Sequence, residues 1–196
     1  MRKIQFLIAG VAISVFLLLQ CVFVVDQTER AIVLQLGKPV GAEYGPGLHF
    51  KLPFVQNVIF FDSRVLEYDA PAAEIITQDK KNMVVDNYSR WKIINPLMFY
   101  RTVRNIPGGL SRIDDIVYSH MREALGRYTL TEIVAVERST IMEEVTTKAN
   151  VLLKDYGIYV IDVRIKRTDL PKENQMAIYG RMQAERERQA KQYRSE

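Results

Sequence analysis

The chain has 196 residues, 48% of them hydrophobic and 26% charged, which places it among foldable proteins and excludes disordered and collagen-like classes. Of its formal charge of +4, Arg2 and Lys3 supply two units and the last 25 residues two more, so the stretch 26–171 is neutral. Without a basic stripe interleaved with aromatics or a zinc-finger spacing, nucleic acid is not an expected partner, and the single Cys21 allows neither an intrachain disulfide nor a cysteine zinc cluster.

Ile4 to Val25 is an uninterrupted run of 22 residues without a charge. As a helix it would be about 33 Å long, matching a hydrocarbon core of about 30 Å. The run exceeds a signal-peptide core and ends in Phe23-Val24-Val25-Asp26, with no small residues spaced for cleavage. Gln20 before Cys21 also departs from a lipoprotein signal, where a small residue belongs. An uncleaved anchor over 4–25 is the expectation, with a cleaved signal, lipidation and a buried helix as the alternatives. Arg2 and Lys3 on one side, against Asp26 and Glu29 with Arg30 on the other, favour a cytoplasmic 1–3 and a large domain outside.

Arg30 to Leu36 reads as a strand with Ile32, Leu34 and Leu36 on one face, stopped by Gly37-Lys38-Pro39. Gly41 to Pro53 reads as a loop around the turn signal Gly45-Pro46-Gly47, with Phe50, Leu52 and Phe54 anchoring it on the core. Val58 to Tyr68 and Glu74 to Thr77 are strand candidates. Asp79 to Asn82 turns the chain, and Met83 to Ile94 is again extended. Asn95-Pro96 then starts a short helix to about Val103, because Asn caps free amides and Pro has none to leave unpaired.

Ser111 with Asp114 resembles a capping pair, and Ile113, Ile116, Val117, Met121, Ala124 and Leu125 follow at helical spacing up to Gly126. Thr129 and Glu132 form a capping box before a longer helix marked by Ile141, Val145, Ala149 and Leu152, which Gly157 can end. Ile158 to Lys166 reads as a strand with Tyr159, Ile161, Val163 and Ile165 on one face. Asp162, Arg164 and Lys166 then face solvent or a polar partner. After Pro171, residues 172–196 are rich in helix formers but carry only a thin apolar seam of Met176, Tyr179, Met182, Ala190 and Tyr193. A helix of that kind gains by packing beside a neighbour, and the pattern breaks off at Glu196 as though a longer helix continued.

Chemistry-bearing residues are sparse. His49 lies in the Gly-Pro-Gly loop beside Phe50, where stacking or a backbone hydrogen bond is its expected role. His120 shares a helix with Ser119 and Glu123, at offsets that do not bring nucleophile, base and orienting group together. Asp114-Asp115 is read as helix-terminal charge rather than as a cation site. No catalytic, cofactor-binding or metal-binding residues are assigned, no cofactor is expected, and the chain is not expected to be an enzyme.

The stretches Asp26 to Pro39, Gly45 to Pro53, Val84-Val85-Asp86, Ile161 to Pro171 and Met182 to Arg188 together resemble the SPFH, band 7 or prohibitin family over essentially the whole chain. The resemblance implies an α+β fold: an anchor over 4–25, a β-rich first SPFH subdomain over 26–94, an α/β second subdomain over 95–171, and the start of a long assembly helix over 172–196. It also implies a bacterial inner-membrane protein with a periplasmic domain. Its implied partners are other copies of itself, an HflK-like SPFH chain, membrane lipids and the AAA protease FtsH, whose degradation of membrane proteins it would modulate. A stomatin-like scaffold that organises lipids, with shallow insertion of the 50–54 loop, and a membrane-bound peptidase are the competing readings.

Overall fold

A computed structural model describes residues 19–129, 132–133 and 138–169. Residues 4–18 of the expected anchor over 4–25, and the assembly helix over 172–196, lie outside the described residues. Among the described residues, no helix is long and apolar enough to cross a membrane.

The apolar run ends differently from its expectation. Val22–Val25 is not the last turn of a helix but strand β1. Three valines and a phenylalanine, β-branched or aromatic, suit a pleated surface. A partner strand makes this possible: β4 (Gly47–Phe50) pairs antiparallel with β1, Val22 opposite Phe50 and Val24 opposite Leu48. Between them, β2 (Glu29–Gln35) and β3 (Lys38–Tyr44) form a hairpin, and β5 (Gln56–Asp62) pairs with the other side of β2. The stretch read as a loop from Gly41 therefore contains strand, because pairing with β2 and β1 outweighs its weak strand propensity. Pro39 is tolerated because β3 is an edge strand.

The β2–β3 connection corrects a second reading. Leu36 (φ 50°) and Gly37 (φ 82°) are the two central residues of the hairpin, the arrangement of a type I′ turn. Leu36 is thus turned out to solvent at 85% exposure rather than inward beside Ile32 and Leu34. The stretch Val58 to Tyr68 is likewise two strands, β5 and β6 (Leu66–Asp69). They are separated at Ser63-Arg64-Val65, where Asp62 accepts hydrogen bonds from the Arg64 amide and guanidinium.

β7 (Ala73–Ile76) and β8 (Asn82–Ile93) agree with the sequence, and β8 alternates without a break, with Met83, Val85, Asn87, Ser89, Trp91 and Ile93 all inward. β8 is the hub of a sheet in which β6, β7 and β9 (Ile158–Asp169) all pair with it.

Helix α1 (Pro96–Thr102) begins as expected, Asn95 Oδ1 accepting from the Met98 amide at 2.9 Å. Helix α2 (Ile106–Leu125) starts a turn and a half before Ser111. Its cap is Asn105, which accepts from the Gly108 amide, so Ser111 and Asp114 lie inside the helix. Two glycines in the first turn hid this start. Gly109 is needed there because a Cβ would fall 2.7 Å from the Phe99 ring. The Thr129–Glu132 capping box forms, with Glu132 Oε2 accepting from the Thr129 amide at 2.8 Å. Helix α3 (Arg138–Leu153) buries Ile141, Val145, Ala149 and Leu153, while Leu152, expected inside, is 46% exposed. A four-residue step from Ala149 keeps the inward stripe at 3.6 residues per turn. A 3-10 turn (Lys154–Tyr156) and Gly157 in the left-handed region then end the helix.

Two compact units result. The first gathers residues 19–67, 90–116 and 149–161; the second gathers 68–89, 117–129, 132–133, 138–148 and 162–169. The first is cored by Phe99, stacked on Trp91 and edge-on to Phe61, with α1 packed on β2 and β3. Ile75, Met83, Val85, Met121, Leu125, Ile141 and Val145 are buried in the second.

Candidate interaction surfaces

In the first unit, alternation gives the β1–β4 ribbon two unlike faces. Inward, Phe23 and Val25 join Ala31 and Val33 in a buried cluster with Tyr44 and Val58 against it. His49, opposite Phe23, has its ring 5.5 Å from Phe23 and 5.1 Å from Tyr44, and its Nε2 lies 2.7 Å from the Gly45 carbonyl oxygen. That is the stacking and turn-closing role expected of it.

Outward, Val24, Leu48 and Phe50 are 65%, 62% and 71% exposed. Beyond Phe50 the Lys51 amide donates to the Cys21 carbonyl, and the chain continues through Leu52, Phe54 and Val55, all exposed. The expectation that Phe50, Leu52 and Phe54 anchor a loop on the core is therefore wrong. Phe23, Tyr44 and His49 pack against one another under the ribbon instead. The Leu36 amide donates to the Val55 carbonyl, adding the apolar hairpin tip to the same surface. Phe54, at φ 67°, repeats the strain of Leu36. Two large hydrophobes held at positive φ and turned to solvent cost stability at both positions, a pattern retained where a surface has a use. Sequence reasoning missed Val24, Leu36 and Leu48. The available signal was that both faces of Val22–Val25 are apolar and that Leu48 and Phe50 share one face while His49 takes the other.

In the second unit, Arg164 and Lys166 both project outward from β9, as expected, with Val163 and Ile165 buried on the other side. Arg164 Nε lies 3.0 Å from Asp162, and Lys166 pairs with Asp69 and stands 5.8 Å from the Tyr88 ring centre. The Asp69 carboxylate, helped by Asp86, holds the Lys166 ammonium above the usual lysine range. Tyr159 and Ile161 depart from expectation: both face out, while Ile158 and Val160 are buried. The inward positions run 158, 160, 163, 165, so the alternation slips by one residue at Ile161-Asp162.

Polar side chains tie α2 to α3 in the same unit. Lys148 Nζ lies 2.8 Å from Glu123 and 3.1 Å from Glu144, and Arg127 also bonds Glu144. Hydrogen bonds from Lys148 and Arg127 hold the carboxyls of Glu123 and Glu144, respectively, below the ordinary range. His120 Nδ1 lies 3.6 Å from Glu123, outside hydrogen-bond range, and among the described residues neither ring nitrogen has a hydrogen-bond partner that would align it as a base. Asp114 and Asp115 sit in mid-helix, Asp115 3.6 Å from Arg112. Among the described residues, no three His, Cys, Asp or Glu side chains are grouped to hold a metal ion.

The model of the SPFH domain / Band 7 family matches residues 23–196. Protein HflC of Buchnera aphidicola subsp. Schizaphis graminum is 35% identical over 94% of this chain and 68% of its own length. The Escherichia coli K12 protein named modulator of FtsH protease HflC is 31% identical over 96% of this chain and 71% of its own. Protein HflC of Haemophilus influenzae is 30% identical over 98% and 69%.

Proposed function

The chain belongs to the SPFH domain / band 7 family, and on that basis we propose that it is a non-enzymatic scaffold of the bacterial inner membrane that modulates degradation of membrane proteins by FtsH. The observation that carries this reading is similarity, over nearly the whole chain, to an HflC that is named a modulator of that protease. An HflK-like SPFH chain and further copies of itself are its partners in a large assembly, and residues 172–196 begin the helix that joins neighbours. With β1 starting at Val22, the apolar run left for an anchor from Ile4 onward is about 17–18 residues, at the short end of the roughly 17–25 that cross a bilayer core. Residues 1–3 stay in the cytoplasm and the folded units stand in the periplasm.

One anchor per copy confines neighbours to a plane and raises their effective concentration, so modest lateral contacts suffice for assembly. A fence of such copies controls which membrane substrates reach an enclosed protease without hydrolysing anything. Arg164 and Lys166 are the polar surface this reading assigns to a partner.

The exposed apolar surface of β1, β4, Leu36 and 52–55 favours a lipid contact alongside this role, the feature shared with stomatin-like scaffolds. It begins where the anchor would end, and burying a Leu or Phe in an apolar phase is worth roughly 1.5–3 kcal/mol.

The test is membrane-anchored chain, whole or ended after Pro171, expressed with FtsH and the HflK-like partner. Particle size in native membranes and degradation of a membrane substrate are measured together. Full chain should copurify with both partners and alter degradation, and the shortened chain should lose the large assembly and the control. Control retained without residues 172–196 would refute the role given to that helix. Lipid partitioning without either protein partner would favour the stomatin-like reading.

A further inference from the structure

Strand β9 pairs with β8 on one side only, which leaves its other edge to be accounted for. No strand lies there among the described residues; side chains of α3 do. In the first unit, Asn150 Nδ2 donates to the Val160 carbonyl and Asn150 Oδ1 accepts from the Val160 amide, both at 2.8 Å. An antiparallel strand would exchange the same two bonds with Val160. In the second unit, the Thr146 hydroxyl accepts from the Val163 amide at 3.2 Å while donating to the Met142 carbonyl at 2.7 Å.

Amides pointing to one edge of a regular strand are two residues apart, yet these two are three apart. One extra residue between them explains that, and it also explains the slip of the buried positions from Val160 to Val163. The amide spacing and the burial slip together fit a β-bulge at Ile161-Asp162. Bulges disturb the ladder and bend the strand, which spoils an edge as a template.

We infer that Asn150, with Thr146 and the bulge, closes the edge of β9 against strand addition by a second copy of this chain. Asn150 acts as a surrogate strand: its amide is the one short side-chain group that both donates and accepts in a plane, as a peptide does. The need is greatest if copies are crowded in a membrane plane, a point that rests on the anchor reading; the hydrogen bonds themselves do not depend on it. A continuous intermolecular sheet through β9 is then prevented.

The experiment uses the full chain in detergent micelles, following amide exchange at Val160 together with particle size and the infrared signal of intermolecular sheet. Asn150→Ala should speed Val160 exchange roughly 5–10-fold, the loss of about one hydrogen bond, and yield larger, sheet-rich particles. Asn150→Asp keeps an acceptor for the Val160 amide and sets a charge at the edge, so it should not enlarge the particles. Unchanged exchange in Asn150→Ala, faster exchange without enlargement, or equal enlargement in Asn150→Asp would each overturn the inference. If Asn150→Ala does not fold, Thr146→Val is measured instead: faster exchange at Val163 with larger particles supports the closed edge, and the absence of either change overturns it.

Discussion

The β1–β4 ribbon and strand β8 each set a buried face against an outward one, yet their outward faces differ. Behind the buried face of β8 stand Val84, Asp86, Tyr88, Arg90 and Lys92, a mixed row that water accepts. Behind the buried face of the ribbon stand Val24, Leu48 and Phe50, which it does not. Period-two alternation in a sequence says that a strand has two faces, and only the chemistry of the second face says what medium it meets. Strain sharpens the contrast, since Leu36 and Phe54 hold positive φ beside the ribbon, whereas no residue of β8 does.

The largest expected effect breaks the comparison at its core. Phe99→Ala removes a fully buried ring between Trp91 and Phe61 and should cost about 3–5 kcal/mol in denaturant unfolding. Leu48→Ser with Phe50→Ser should shift stability by only about 0.5 kcal/mol, while lowering flotation of the detergent-extracted chain with lipid vesicles. If the serine pair unfolds the protein as Phe99→Ala does, the ribbon's outer face is core after all.

Next is Gly157→Ala. Gly157 is at φ 70°, and a Cβ would press on the Asn95 carbonyl oxygen and the Phe99 amide. Backbone strain alone should cost roughly 1–3 kcal/mol, seen as a lower melting temperature. A melting temperature equal to that of the wild type would mean that the turn after α3 relaxes freely.

Leu36→Asn acts in the opposite direction. Asn accepts the left-handed region more readily, so the substitution should raise stability by up to about 1 kcal/mol while vesicle association falls. A destabilised Leu36→Asn with unchanged vesicle association would show that the tip packs within the protein.

The smallest effect concerns acid. Glu123 and Glu144, held by Lys148 and Arg127, have carboxyl pKa values lowered from 4.5, so their contribution is complete above that pH and fades as pH falls through the lowered values. Stability of the wild type should be flat from about pH 6 to 8 on their account and decline below about 4.5. Lys148→Met should flatten part of the acid limb. These groups are solvent-exposed, so salt should shrink the difference further.

Much of the fold was legible. Asn95-Pro96, the extended stretch from Met83 and Gly157 have the predicted roles, and the Thr129–Glu132 box forms, although α3, the helix it was expected to start, begins at Arg138. The missed strands share one cause, pairing with a segment distant in sequence, whereas the Ser111 miss is local. Val22–Val25 is a strand because Gly47–Phe50 pairs with it. Lys38–Tyr44 is a strand because β2 does the same, and Ser111 is not a cap because Asn105 reaches Gly108 first.

By itself, then, the sequence determined the family, the neutral body between two basic ends, the local caps and the spacing of most core residues, all of which depend on composition or on neighbours a few positions apart. The tertiary structure decided which apolar residues are left bare, where β9 slips its alternation, and how Asn150 closes an edge ten residues away in sequence. Those depend on which backbone groups find partners across the fold, since a buried peptide group must be satisfied by whatever strand or side chain the topology brings to it.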